Sequence, residues 1–186
     1  MVLDRILPFT KYLLGKVVTK GDLVIDATCG NGNDTIFLSR LVGDEGHVFA
    51  FDIQKEAVDA TNNKLKEAKI QNVSLILDGH EQVLNYISRE ISGAIFNLGY
   101  LPGSDKTITT KGETTWKAIV DILSLLKVNG LIILVIYHGH EAGKVERNYL
   151  EELIKTLDPA TTTTLKYEFL NKEHAPYIIA VEKTCS

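Results

Sequence analysis

Leu23-Val24-Ile25-Asp26-Ala27-Thr28-Cys29-Gly30-Asn31-Gly32-Asn33 decides the architecture of this chain. An apolar run ends in a carboxylate, a turn with two glycines follows, and an amphipathic stretch begins at Thr35. That is a strand, a turn and a helix. Glycine lets the backbone approach a ligand closely and adopt positive φ, while the N-terminus of the following helix presents unpaired N–H groups that favour negative charge. The turn therefore suits a nucleoside cofactor, with a tight turn that holds no ligand as the plainer alternative.

Short apolar runs alternate with segments of helical period along most of the chain, the pattern of a parallel sheet covered on both faces. Strand candidates are Leu23 to Asp26, His47 to Asp52, Val73 to Leu77, Ala94 to Asn97 and Leu131 to Tyr137. Ala57, Thr61, Leu65 and Ala68 share one helical face, as do Trp116, Ile119, Leu123 and Leu126, and later Leu150, Leu153 and Leu157. Gly43 and Gly46 separate the helix after the turn from the second strand, and Asn129-Gly130 reads as a helix stop before the fifth. Leu165, Tyr167 and Phe169 alternate with Lys166 and Glu168, and a second run from Tyr177 to Val181 follows too closely for a helix between them. These two runs must pair antiparallel at a sheet edge, with Thr161 to Thr164 as a strand start. Arg5 to Val18 reads as a helix covering the sheet, capped by Thr10. The fold class is α/β.

With 186 residues, 45% of them hydrophobic, the chain has enough material for one core and too little for two ordinary domains. A single domain over residues 1–186 is expected. No stretch reaches the roughly 18 uninterrupted apolar residues of a membrane span, and Asp4, Pro8 and Lys11 stand where a signal peptide is apolar. A soluble, cytoplasmic protein is the expectation. The two cysteines, Cys29 and Cys185, form neither a disulfide framework nor a zinc pattern, which fits a reducing compartment. A net charge of -4 argues against wholesale binding of polyanions and leaves room for a local basic patch.

In an open α/β sheet, ligands bind beyond the carboxyl ends of the strands, so the polar residues there carry the function. After the first strand, the dinucleotide fingerprint Gly-x-Gly-x-x-Gly would need a third glycine where Thr35 stands, which disfavours an NAD-dependent oxidoreductase. The second strand ends in Asp52-Ile53-Gln54, an acidic side chain placed to grip both hydroxyls of a ribose or, alternatively, to cap the next helix. Asp78-Gly79-His80 offers a carboxylate and an imidazole where an adenine edge would lie, with helix capping by Asp78 as the alternative.

The fourth strand ends in Asn97-Leu98-Gly99-Tyr100-Leu101-Pro102-Gly103. A buried amide there needs a partner, and its carbonyl can accept from an amine while an aromatic ring packs over the group being modified. The chemistry belongs here. Tyr137-His138-Gly139-His140 ends the fifth strand on the same rim. Two histidines without a third ligand do not make a zinc site, so no metal is expected and substrate contact or proton transfer is favoured. Lys106, Lys111, Lys144 and Arg147 flank these ends as either a patch suited to a phosphate backbone or an ordinary solvated surface.

Together, Asp26 to Asn33, Phe51-Asp52-Ile53-Gln54, Asn97 to Gly103 and Tyr137 to His140 resemble the small bacterial class I S-adenosylmethionine-dependent methyltransferases labelled rRNA methylases. The likeness runs from Arg5-Ile6-Leu7-Pro8 to Ile179-Ala180-Val181-Glu182 and is narrower still to tRNA 5-aminomethyl-2-thiouridine methyltransferases of that family. The resemblance implies a Rossmann-like, seven-stranded, mostly parallel sheet with helices on both faces and the last strand antiparallel. It implies S-adenosyl-L-methionine as methyl donor, the wobble uridine in the tRNA anticodon region as acceptor, and a homodimer. On these positions Asp26, Gly30, Asn31 and Asn33 would cradle the methionine part, Asp52 and Gln54 the ribose, and Asp78 and His80 the adenine side. Asn97, Tyr100, Tyr137 and His138 would serve the methyl transfer. An rRNA or protein methyltransferase and a noncatalytic cofactor-binding module remain as alternatives, the latter disfavoured by the polar strand ends at Asn97 and Tyr137.

Overall fold

A computed structural model describes residues 2–99, 109–137, 141–172 and 175–185. The apolar run before the glycine turn forms β1 (Leu23–Asp26), which pairs parallel with β2 (His47–Asp52) on one side and β4 (Ile91–Leu98) on the other. β3 (Val73–Leu77) extends the sheet beyond β2, and β5 (Leu126–Ile136) extends it beyond β4, both parallel. β7 (Tyr177–Lys183) then inserts antiparallel between β5 and β6 (Thr162–Tyr167), giving seven strands in the order β3-β2-β1-β4-β5-β7-β6. The expected antiparallel hairpin and the strand start in the threonine run are both present. Successive strands are added outward in one direction from β1 to β3 and in the other from β4 onward, so the carboxyl ends of the parallel neighbours β1 and β4 border the crevice where α/β sheets bind ligands.

Alternation along each strand feeds two cores. Ile132, Leu134 and Ile136 of β5 pack with α4 (Gly112–Leu125), α5 (Glu141–Ile154) and the short 3-10 helix His80–Asn85. Ile133 and Val135 face the opposite way, against α1 (Ile6–Val17) and α2 (Asn33–Val42). α3 (Lys55–Glu67) lies against β2, β3 and α2 and buries Ala57, Thr61 and Leu65 of its expected face, while the fourth residue of that face, Ala68, is the exposed residue just past the helix end. Each wholly buried Ile or Leu contributes roughly 1.5–3 kcal/mol, which is why the central strands are apolar on both faces.

Three local readings are corrected. Thr10 is no cap: α1 begins at Ile6, and the buried Thr10 hydroxyl donates to the Ile6 carbonyl at 3.1 Å from within the helix. Asn129-Gly130 does not stop α4, which ends at Leu125. The terminal carbonyls of α4 are met by Lys183 of β7, whose Nζ donates to Leu123 O (3.2 Å) and Leu126 O (2.8 Å), so no glycine cap is required. Asn129, at φ 63°, instead belongs to an excursion in β5, whose register with β4 jumps from Ile91↔Leu126 to Gly93↔Leu131. The buried stripe of α4 is also rotated, to Thr115, Ala118, Ile119 and Ile122, with Trp116 and Leu123 flanking it.

Candidate functional site

The turn after β1 is tied down from three sides. Ala27 N–H donates to Ile95 O of β4 (2.9 Å), and Cys29 N–H to Phe51 O of β2 (2.8 Å). Gly30 N–H donates to Asp52 Oδ2 (2.9 Å), and the Thr61 hydroxyl of α3 donates to Gly30 O (2.9 Å). Gly30 and Gly32 take φ of 48° and 76°, and a Cβ on Gly32 would sit 2.8 Å from the Thr61 hydroxyl oxygen. Only glycine satisfies both the left-handed backbone and that contact.

Asp26 lies under the turn with no exposed surface, its Oδ2 accepting from the Thr35 hydroxyl (2.6 Å) and its Oδ1 from Thr28 N–H (3.3 Å). Burial, with the nearby Asp34 charge, raises its pKa to about 7 against the pull of those two donors. In the unfolded chain the same carboxyl ionises near 3.8. Between these values the folded state binds the extra proton, so this group's contribution to stability falls as pH rises from 4 to 7 and is level above. At 1.36 kcal/mol per pKa unit the fall is on the order of 4 kcal/mol. Urea denaturation of the ligand-free protein should show that fall as the difference between wild type and Asp26→Asn, and a pH-independent difference would contradict it.

Asp52, at the end of β2, accepts from Gly30 N–H on Oδ2 and from Gln54 N–H on Oδ1 (3.0 Å). Beyond β3, Asp78 accepts from Gly79 N–H (2.8 Å) and from the Tyr86 hydroxyl (2.8 Å). His80, 8% exposed, sets Nδ1 3.0 Å from Ala27 O and its ring edge-on to Phe96. Burial lowers its pKa, so the ring is neutral at physiological pH and carries its proton on Nδ1, where it donates to Ala27 O.

At the end of β4, Asn97 N–H donates to the Thr28 hydroxyl oxygen (2.7 Å), and Asn97 Nδ2 donates to Asp34 Oδ2 (2.9 Å). A carboxylate only accepts, so Asp34 orients the amide and leaves Oδ1 as the group open to an incoming donor. Tyr137, just past β5 and 37% exposed, has its pKa raised by burial and by the Asp34 charge, so it stands as a neutral phenol. Tyr100 and His138 lie outside the described residues, as do Lys106 and His140.

A cavity of ≈ 280 Å³ joins Gly30, Asp52, Gln54, Asp78, His80 and Asn97. Asp26 lies beneath it, Tyr137 does not line it, and Asn31 and Asn33 are exposed on the turn, Asn33 accepting from Lys64 Nζ (3.1 Å). Lys111 of the suspected basic patch lines the cavity, together with Thr109, Thr110 and Thr114, which sequence reasoning missed. It also missed Asp34, since an acid in the first turn of a helix reads as ordinary dipole compensation. Among the described residues, no cluster of three or more His, Cys, Asp or Glu is placed to hold a metal, and no helix is long and apolar enough to cross a membrane.

This seven-stranded, mostly parallel sheet has counterparts among known proteins. The family described as "Putative rRNA methylase" matches residues 48–183. The "tRNA (mnm(5)s(2)U34)-methyltransferase, chloroplastic" of Arabidopsis thaliana is 37% identical over 90% of this chain, which spans 65% of that protein's length. The crystal structure of a "putative rRNA-methylase" from Clostridium thermocellum has a TM-score of 0.97 and 38% identity, covering 98% of this chain and 100% of that one. A "putative methyltransferase" from Streptococcus mutans, solved in complex with SAH, has a TM-score of 0.90 and 38% identity, covering 97% and 99%. By the match across most of its length, this chain belongs to the family described as "Putative rRNA methylase".

Proposed function

We propose that this protein is an S-adenosyl-L-methionine-dependent N-methyltransferase that converts 5-aminomethyl-2-thiouridine at the tRNA wobble position to 5-methylaminomethyl-2-thiouridine. The observation that carries the reading is Asn97, which lines the cavity with its NH2 end held by Asp34 and its Oδ1 free to accept from an amine. The chloroplastic relative supports the tRNA acceptor, and the neighbour holding SAH, the demethylated product of the donor, supports the cofactor.

The residues present fit that cofactor. Asp52 reaches the cavity with an acceptor-only carboxylate, the partner that two ribose hydroxyls need, and each oxygen keeps capacity beyond its single backbone N–H. Gly30 lines the same cavity without a side chain, Gln54 flanks the ribose position, and Asp78 and His80 border the adenine side. Asp26, Asn31 and Asn33 build the turn around the methionine part. When bound, S-adenosylmethionine supplies an electrophilic methyl group on a sulfonium.

An alkyl amine with a pKa of about 10.4 is mostly protonated in water and lacks a lone pair to attack with. Removal from solvent disfavours the ammonium, and Asn97 Oδ1 accepts an N–H of the neutral amine, which turns its lone pair in a fixed direction. The amine's proton leaves by way of His138 as base, or through the Tyr137 hydroxyl as a relay that accepts one proton and passes its own to water, and Tyr100 is assigned to the acceptor side by the sequence resemblance. On this reading a single cytoplasmic domain carries both sites and acts as a homodimer on the anticodon region, as the resemblance drawn from the sequence implies.

The test is transfer from methyl-labelled cofactor to separate tRNA, rRNA and protein fractions from cells lacking the enzyme. Label is expected in tRNA, with mass analysis of the digested nucleosides showing 5-methylaminomethyl-2-thiouridine. Label confined to rRNA or protein would overturn the acceptor and leave the cofactor reading standing.

A further inference from the structure

α5 holds a buried carboxylate for which methyl transfer has no direct use. Glu146 is 5% exposed, and its oxygens accept from two threonine hydroxyls, Thr110 on Oε2 (2.6 Å) and Thr115 on Oε1 (3.1 Å). Thr110 carries the hydrogen bonding further. Gly99 N–H donates to Thr110 Oγ1 (2.9 Å), and Thr110 N–H returns a hydrogen bond to Gly99 O (3.1 Å). Gly99 lies two residues beyond Asn97. The Thr115 hydroxyl oxygen lies 3.5 Å from His80 Nε2, on the ring whose Nδ1 serves Ala27 in the turn after β1. With the Thr115 proton on Glu146 and the His80 proton on Nδ1, that 3.5 Å approach is a packing contact, and the hydrogen-bonded path from the carboxylate runs through Thr110 to Gly99 on the acceptor side.

The direction of these bonds requires an acceptor at Glu146. Thr110 Oγ1 already accepts from Gly99, so its hydroxyl proton goes to Oε2, and Thr115 offers its own proton to Oε1. An amide in that place accepts from one threonine and presents a donor to the other. A second contact holds the same surfaces together: a Cβ on Gly112 would lie 2.6 Å from the Tyr149 ring, one turn along α5 from Glu146. Keeping an ionisable group this deep costs stability that an apolar residue would not.

We propose that Glu146 is a positioning residue, a clamp that holds Gly99 and Thr110 together and thereby fixes the backbone beside Asn97. The proposal rests on the reading of Asn97 as the amine acceptor. Glu146→Gln and Thr110→Val should each lower kcat for methyl transfer about tenfold or more, while the SAH dissociation constant stays within about threefold and the unfolding midpoint does not fall. Thr110→Ser, which keeps the hydroxyl, should recover most of the rate. Amide hydrogen exchange in the wild-type protein and in Glu146→Gln reads the clamp directly. Exchange at Gly99 and Thr110 should speed up about tenfold or more in the variant, while that of Ile95 is unchanged. Wild-type kcat together with wild-type exchange in Glu146→Gln would overturn the clamp, as would a rate loss matched by equal loss of SAH binding and folded protein. If the wild-type protein transfers no methyl group to tRNA, the acceptor reading fails separately, and the exchange rates still decide the clamp.

Discussion

Asn97→Ala should lower kcat for methyl transfer to tRNA by about 10²-fold or more, with the SAH dissociation constant changed by no more than about threefold. The effect is large because alanine removes both functions of the side chain at once. The Oδ1 that holds the amine in line is gone, and the Asp34 carboxylate loses its Nδ2 partner at 2.9 Å. The backbone bond from Asn97 N–H to Thr28 survives, so the turn that serves the cofactor keeps its support. Asp34→Asn should reproduce part of the loss, since an amide at position 34 permits Asn97 to turn over and present its NH2 end to the substrate. Single-turnover rates and calorimetry on the same preparations separate the two quantities. Parallel loss of rate and affinity would remove Asn97 from the chemistry.

Asp52→Ala should weaken S-adenosylmethionine and SAH binding by about 10²-fold or more. Hydrogen bonds to a charged group contribute roughly 1.5–3 kcal/mol each, and two ribose hydroxyls would lose theirs together. The substitution also strips the acceptor from Gly30 N–H and Gln54 N–H, so the turn itself loosens. Asp52→Asn keeps one acceptor oxygen and should fall between alanine and wild type. An unchanged dissociation constant in the alanine variant would refute the ribose assignment.

The strands were legible because burial on both faces writes a continuous apolar run, and their ends were legible because a polar residue terminating such a run has few other reasons to be there. Asp52 and Asn97 stood out on that ground, and both line the cavity. What stayed hidden depends on partners far apart in the chain. Asp34 acquires its meaning from Asn97, 63 residues later, and Glu146 from Thr110 and Thr115, 36 and 31 residues earlier. The end of α4 was misplaced for the same reason, because the group that caps it, Lys183, lies 57 residues beyond Leu126. Local period reports which face is buried and is silent about which polar atoms meet there.

The insertion of β7 between β5 and β6 also sets an order of assembly. β6 is made first yet can join the sheet only through β7, and β5 offers a bare apolar edge to other chains until β7 covers it. The last turn of α4 likewise waits for Lys183. During synthesis, therefore, β1 to β4 can associate as they emerge from the ribosome, whereas the other three of the seven strands and the helix beside the 3-10 segment reach their final form only after residues 177–183 have been released.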